Sequence, residues 1–359
     1  MSPHLTGRGV YCLSLYGATH AVVDAICAGM LISLWQRGDV GVAEAGSWFI
    51  LYNILAFGIQ PLLGLLVDGY HRPREAALAG CLVTAMAPFV GNHWPLCGVC
   101  LAGLGNAVFH LGAGSICLNL SPGRATAPGL FVAPGALGLY AGTELARRDM
   151  FVTWPFLLAL ALLCAGMVLS PPSVATPESR QRVFTRPAAW VLTLILGCIA
   201  IRSLVGFGVD LPWKTGLPLA LGLVLLVALG KSLGGVLADH FGWGRVAVGS
   251  LALATPLLAF GSTVAIPAMA GMFLINLTMP VTLAATANLL PGRPAFAFGL
   301  TCLALELGSW PVMLPLGIGD LCARPWVVFG LTFGAALALY SALKLAFRRL
   351  PDHFSEVHE

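Results

Sequence analysis

Apolar residues run along this chain in blocks of about 18–25, parted by short polar stretches, without the apolar–polar alternation that marks strands. Read with a window of about 19 residues, the blocks predict twelve membrane-crossing helices. They fall near 10–35, 46–67, 76–93, 96–120, 125–143, 150–170, 188–212, 216–238, 245–262, 264–289, 295–317 and 325–347. Connections of about ten residues leave no room for a soluble domain. The longest polar stretch, PPSVATPESRQRVFTRP at 171–187, reads as a linker between halves 1–170 and 188–359.

The two halves repeat one another. LNLSPGR (118–124) returns as ANLLPGR (287–293), an offset of 169, and GLLVDGYHRPR (64–74) returns as GVLADHFGWGR (235–245), an offset of 171. Gly129 and Gly138 match Gly299 and Gly308 at an offset of 170, as Asn106 matches Asn276. The expected fold is therefore an all-α integral membrane protein of two six-helix lobes related by internal duplication. Many secondary transporters are built in this way, with the substrate path between the repeats.

Composition fixes the solvent. Hydrophobic residues make up 58% of the chain and charged residues 9%, against roughly 25% charged in soluble domains. A mean hydropathy of +0.88 with 43 Gly and 24 Pro fits helices in lipid. The net charge of +4 needs no nucleic acid to explain it, because its distribution obeys the positive-inside rule. With the N-terminus inside, Arg8, Arg72, Arg74, Arg124, Arg180, Arg182, Arg186, Arg245, Arg293, Lys344, Arg348 and Arg349 lie on the cytoplasmic side. Only Arg37, Arg147, Arg148, Lys214 and Arg324 lie outside, so both termini are expected in the cytoplasm of a cell (inner) membrane protein. The first apolar run is too long for a cleavable signal and reads as the first span.

Ten cysteines are scattered in and beside the spans, where a thiol packs as a small apolar group. Cys97 and Cys100 form a CxxC without a second pair or a histidine pair at zinc spacing, so no metal site is expected. No glycine loop able to cradle phosphates is present. The chain is not expected to be an enzyme or to carry a cofactor. Its expected partners are the bilayer, protons and a small solute, with a monomer as the working unit.

Charges inside lipid cost roughly 2.5–3.5 kcal/mol each at mid-span, so they face an interior and find partners. His20 and Asp24 stand four residues apart on one helical face of the first span. His110 lies in the fourth span, Arg202 in the seventh, Lys231 in the eighth and Glu306 in the eleventh. All six sit roughly 12–22 Å from the cytoplasmic ends of their helices. Either structural ion pairs or a proton-handling site accounts for them. Lys231 and Glu306 could neutralise each other, whereas His20 and Asp24 together suit proton transfer. Arg202 holds its proton and needs an anion, either Asp24 or the solute. Aligning Trp35 with Trp213, an offset of 178, sets Asp24 opposite Arg202. Gly230, Gly234 and Ala238 form a small-xxx-small row, and Pro134 among Gly129, Gly135, Gly138 and Gly142 makes the fifth span thin and bendable.

The G-x-x-x-D pattern at Gly64–Asp68 and Gly235–Asp239, followed by Arg72, Arg74 and Arg245, resembles the signature loop of the major facilitator superfamily. Gly69 stands where the family has a basic residue. APGALG (133–138) is similar to its antiporter motif, with Leu137 in place of one glycine. HAVVD (20–24), GLGNAVFHLGAG (103–114) and Arg202–Ser203 resemble the fosmidomycin-resistance group of exporters, with Leu111 where that group tends to have proline. The resemblance implies a major facilitator fold with spans 1, 4, 7 and 10 lining a cavity. It places His20, Asp24, Asn106, His110, Arg202 and Asn276 there, with Lys231 and Glu306 nearby. It also implies that Asp68 and Asp239 latch the cytoplasmic side on helix N-termini, with Arg72, Arg74 and Arg245 beside them. The function expected is alternating-access secondary transport, by proton-coupled export of a small organic molecule. Uptake of a small organic anion, or a membrane assembly role without transport, are the alternatives.

Overall fold

The computed structural model describes residues 7–37, 41–172, 185–314 and 318–354, and among these every regular element is helical. In chain order they are α1 (Gly7–Gln36), α2 (Val42–Asn53), a π-helical turn (Ile54–Gly58), α3 (Gln60–Tyr70), α4 (Pro73–His93) and α5 (Pro95–Leu120). There follow α6 (Thr126–Arg147), α7 (Thr153–Leu169), α8 (Arg186–Gly208), α9 (Leu217–Phe241) and α10 (Trp243–Gly261). The chain continues through α11 (Ala265–Asn276), α12 (Met279–Leu289), α13 (Pro294–Met313), α14 (Ile318–Cys322), α15 (Pro325–Arg349) and a 3₁₀ turn (Pro351–His353). Ten helices of the described residues are long and apolar enough to cross a membrane, two of them being α2–α3 and α11–α12 taken as continuous spans. The other two expected spans fall on α6, whose glycines and prolines dilute its apolar character, and on α7, which is apolar but only 17 residues long. Most of the expected linker, 173–184 with Arg180 and Arg182, lies outside the described residues.

The π-turn has a local cause. Pro61 has no N–H to give to Phe57, so the ladder slips and Ile59 N–H donates to Ile54 O at 3.0 Å. Gln60 Nε2 takes up the freed Ala56 carbonyl at 2.6 Å. Pro280 acts similarly between α11 and α12, where it leaves Asn276 O without its helical donor.

The chain clusters into two units. One holds residues up to Leu120, Pro134–Thr176 and Arg293–Gly299. Its tightest pair is α4 and α5, drawn together by Gly98, Gly105 and Gly112 at seven-residue intervals along α5. A Cβ at Gly105 would come within 2.6 Å of Thr84 N, and one at Gly112 would overlap Ala77 N, so only glycine permits this approach. The second unit holds Ser121–Ala133, Pro177–Gly292 and Leu300–Glu359. Its core joins Val191 and Ile195 of α8 to Trp243, Leu251 and Leu258 of α10 and to Leu339 and Leu343 of α15. Exposed Trp94, Trp154, Trp190 and Trp326 lie at or near helix ends, where the amphipathic indole suits a bilayer interface.

Candidate functional site

Two helical pairs at i,i+4 build the site in the first unit. His20 and Asp24 share one face of α1, and Asn106 and His110 share one face of α5. The folded chain sets these faces together. His110 Nε2 lies 2.7 Å from His20 Nε2, which lies 3.2 Å from Asp24 Oδ2. Asp24 Oδ1 accepts from Asn106 Nδ2 at 2.9 Å and stands 3.9 Å from His110 Nε2. His20 is 5% exposed and His110 4%, Asn106 is fully buried, and Asp24 is half-buried. Phe57, Phe109 and Phe298 surround His110 with ring centroids 6.4, 5.6 and 6.2 Å away.

Local features hold this geometry. His110 Nδ1 lies 2.8 Å from Asn106 O, a carbonyl that only accepts, so the proton sits on Nδ1 and the lone pair of Nε2 faces the cluster. Gly135 of α6 lies against His20, where a Cβ would overlap Nε2, and Gly138 and Gly142 seat α6 on the α1 backbone at Ala21 and Ala25. The glycines of APGALG thus shape the His20 pocket. No metal-ligand set was expected from the sequence, because spacing shows only ligands close along the chain. The ligating atoms of His20, Asp24 and His110 nevertheless all lie within 4.8 Å of one another.

In the second unit, Arg202 on α8 is 8% exposed and donates from Nη1 to Thr278 Oγ1, which donates to Ile275 O at 2.8 Å. Among the described residues of that unit no carboxylate lies within ion-pair distance of Arg202. Ser203 Oγ donates to Leu305 O at 2.6 Å. Glu306, 2% exposed, accepts from Trp310 Nε1 one turn along α13. Asn276 donates back to Met272 O at 2.8 Å, so it bonds differently from Asn106. Lys231 is half-buried on α9, with its backbone carbonyl against Gly129. Sequence reasoning missed Thr278 and Trp310, whose polar roles show only once the helices are packed.

The glycine contacts give the register of the repeat. Gly129 meets Lys231 as Gly299 meets Gln60, offsets of 170 and 171. Gly138 meets Ala21 O as Gly308 meets Ala200 O, which sets an offset of 179 between α1 and α8. In that register Ser203 is the counterpart of Asp24, and Arg202 that of Val23. The tryptophan alignment is thus shifted by one residue.

The two motif aspartates also make matching contacts. Asp68 accepts from Ala295 N at 2.9 Å and Phe296 N at 2.8 Å, in the first turn of α13. Asp239 accepts from Ala125 N at 2.9 Å, Thr126 N at 2.8 Å and Thr126 Oγ1 at 2.6 Å, where α6 begins, and from Trp243 Nε1 at 3.0 Å. Gly64 and Gly235, one turn earlier, allow the approach: a Cβ at Gly64 would lie 2.7 Å from Ala295 O, and one at Gly235 would overlap Ala125 O. Arg74 caps α7 instead, donating to Met167 O at 3.0 Å and Val168 O at 2.7 Å. Arg245 is exposed and reaches Phe241 O at 3.5 Å, and Arg72 is exposed at the start of α4.

No family model matches the sequence. The chain is similar to the uncharacterized MFS-type transporter YfnC of Bacillus subtilis (strain 168), 26% identical over 352 residues, which cover 84% of this chain and 85% of that protein. It is 24% identical over 217 residues to the uncharacterized MFS-type transporter EfpA of Mycobacterium tuberculosis, which cover 58% of this chain and 41% of EfpA. Among solved structures, FucP in its outward conformation matches with a TM-score of 0.70 at 12% identity, over 94% of this chain and 98% of that one. The proton:xylose symporter XylE matches with a TM-score of 0.62 at 15% identity, over 95% of each chain. The fold is that of the major facilitator superfamily.

Proposed function

We propose that this chain is a multi-pass secondary transporter of the major facilitator superfamily and that it exports a small organic molecule in exchange for protons. His20, Asp24 and His110 are the place of proton uptake. The observation that carries the reading is the hydrogen-bonded His–His–Asp chain between α1 and α5. An ionised Asp24 accepts from both helices. Protonation turns one of its oxygens into a donor, which no longer suits Asn106 Nδ2 or a His20 N–H, and so loosens α1 from α5. A charge crossing 100 mV gains about 2.3 kcal/mol, comparable with one or two such bonds. Asp68 and Asp239 act in this reading as cytoplasmic latches, because a carboxylate on a helix N-terminus is held by the first-turn N–H groups and the helix dipole.

The strings HAVVD and GLGNAVFHLGAG support placing the chain near the fosmidomycin-resistance exporters, and the excess of inside arginines supports cytoplasmic termini. A second reading rests on Arg202. A buried guanidinium with a threonine hydroxyl as partner is suited to a carboxylate or phosphate, which favours uptake of a small organic anion.

The test is a proteoliposome screen of small organic molecules under an imposed pH gradient, with a pH-sensitive dye inside. Solute-dependent proton movement supports coupled transport, and its sign separates export from uptake. If no solute in a broad panel moves protons, coupling is refuted.

A further inference from the structure

We infer that His20, Asp24 and His110 form a binding site for a divalent transition metal of the zinc class. Two imidazole nitrogens and one carboxylate converge from two helices, and the three side chains are buried or half-buried. Ligands at about 2.0–2.1 Å from a tetrahedral ion stand roughly 3.3 Å apart. The separations of 2.7 Å between the Nε2 atoms, 3.2 Å from His20 to Asp24 and 3.9 Å from His110 to Asp24 bracket that value. Small rotamer adjustments would bring all three onto one ion.

The surrounding contacts are those a metal site needs. His110 is held by its Nδ1 on Asn106 O, which leaves the Nε2 lone pair to ligate, and a carbonyl behind the ring in this way orients and strengthens a histidine ligand. Asp24 is oriented by Asn106 Nδ2. Asn106 Oδ1 is buried and finds no donor among the described residues, and a water completing the ion's shell is a donor of the kind it lacks. Without metal, His20 Nε2 carries the proton shared toward His110 and Asp24. For the ion to take its place, the neutral imidazole moves that proton to Nδ1 and presents the Nε2 lone pair, so the ion and the Nε2 proton compete for one position. Mixed nitrogen and oxygen ligands favour Zn²⁺, Co²⁺ or Ni²⁺ over Mg²⁺ or Ca²⁺.

The site shares residues with the proposed proton site, but its test is independent of transport. Purified full-length protein in detergent, with Cys97 and Cys100 changed to Ser so that those thiols take no metal, is titrated with Co²⁺ and then Zn²⁺. The expected result is one Co²⁺ per chain, with visible d–d absorption that Zn²⁺ abolishes. Asp24→Asn and His110→Gln should each weaken binding by roughly 100-fold or more, and Asn106→Ala by roughly 10–100-fold. Replacing the exposed His71 or His93 by Gln should change nothing. Absence of stoichiometric Co²⁺ binding overturns the inference, as does equal affinity in all three site variants. Binding without solute-driven proton flux would sink the coupling reading and leave this site standing. Proton flux without binding would do the reverse.

Discussion

Replacing Asp239 by Asn changes a carboxylate that accepts four hydrogen bonds into an amide that can accept on one oxygen. Oδ2 takes both the backbone N–H and the hydroxyl of Thr126, while Oδ1 takes Ala125 N and Trp243 Nε1. An amide NH₂ at either place faces donors. Two charge-assisted bonds at about 1.5–3 kcal/mol each are at risk, together with up to about 1 kcal/mol of helix-dipole attraction. Partial exposure and rearrangement reduce the sum, and a net loss of about 3 kcal/mol is a fair central value. That is roughly a 100-fold shift between latched and released states. Among the described residues Asp68 accepts two backbone hydrogen bonds, so Asp68→Asn puts one bond at risk and should shift the population roughly tenfold. The assay is labelling of Cys117, buried near the expected cytoplasmic end of α5, in a protein whose other nine cysteines are replaced by serine. A membrane-impermeant thiol reagent is applied from the cytoplasmic side. Labelling should rise in both variants and more in Asp239→Asn, with expression little changed. Unaltered labelling in both, or a larger rise in Asp68→Asn, would refute the reasoning.

Gly105→Ala places a methyl against the backbone of Thr84 and should abolish monodisperse protein on size exclusion, whereas Gly244→Ala meets open space and should be neutral. Gly135→Ala pushes on the His20 ring and should suppress proton flux with a smaller loss of thermal stability. Trp310→Phe removes the indole donor of Glu306 and should cost about 1–3 kcal/mol in a denaturation series, a loss that Glu306→Leu in the same chain should partly restore. If Lys231 and Glu306 pair, Lys231→Met with Glu306→Gln should be more stable than either single variant, and additive losses would mean that they do not meet.

The spans were legible because apolar length is set by the bilayer, and α1, α5 and α10 begin and end within three residues of the expected bounds. The π-turn and the interruption at Pro280 were not legible, since a proline in a span can bend, slip or be tolerated according to its neighbours. The site was half legible. The four-residue spacing of His20 and Asp24 shows one shared face, and a lone His110 shows only a costly buried group. That these faces meet is decided by packing, and the glycines of α6 seat that helix on α1 beside the cluster. The duplication carried the Asp68 and Asp239 positions across the halves with little error. Between α1 and α8 the loop length differs, and an alignment anchored on tryptophans slipped by one residue, enough to exchange Ser203 for Arg202.

The central claim is that proton coupling resides in the cluster around Asp24. Its most direct test is solute-driven proton movement by Asp24→Asn in proteoliposomes, with the solute that drives protons in the unaltered protein and with binding of that solute measured alongside. Asn retains an acceptor for Asn106 or for His20 but cannot exchange a proton. The account predicts that the solute still binds while proton movement and uphill transport are lost, and that Arg202→Ala loses both binding and transport. Uphill transport by Asp24→Asn with unaltered pH dependence would contradict it and move the coupling site to Glu306.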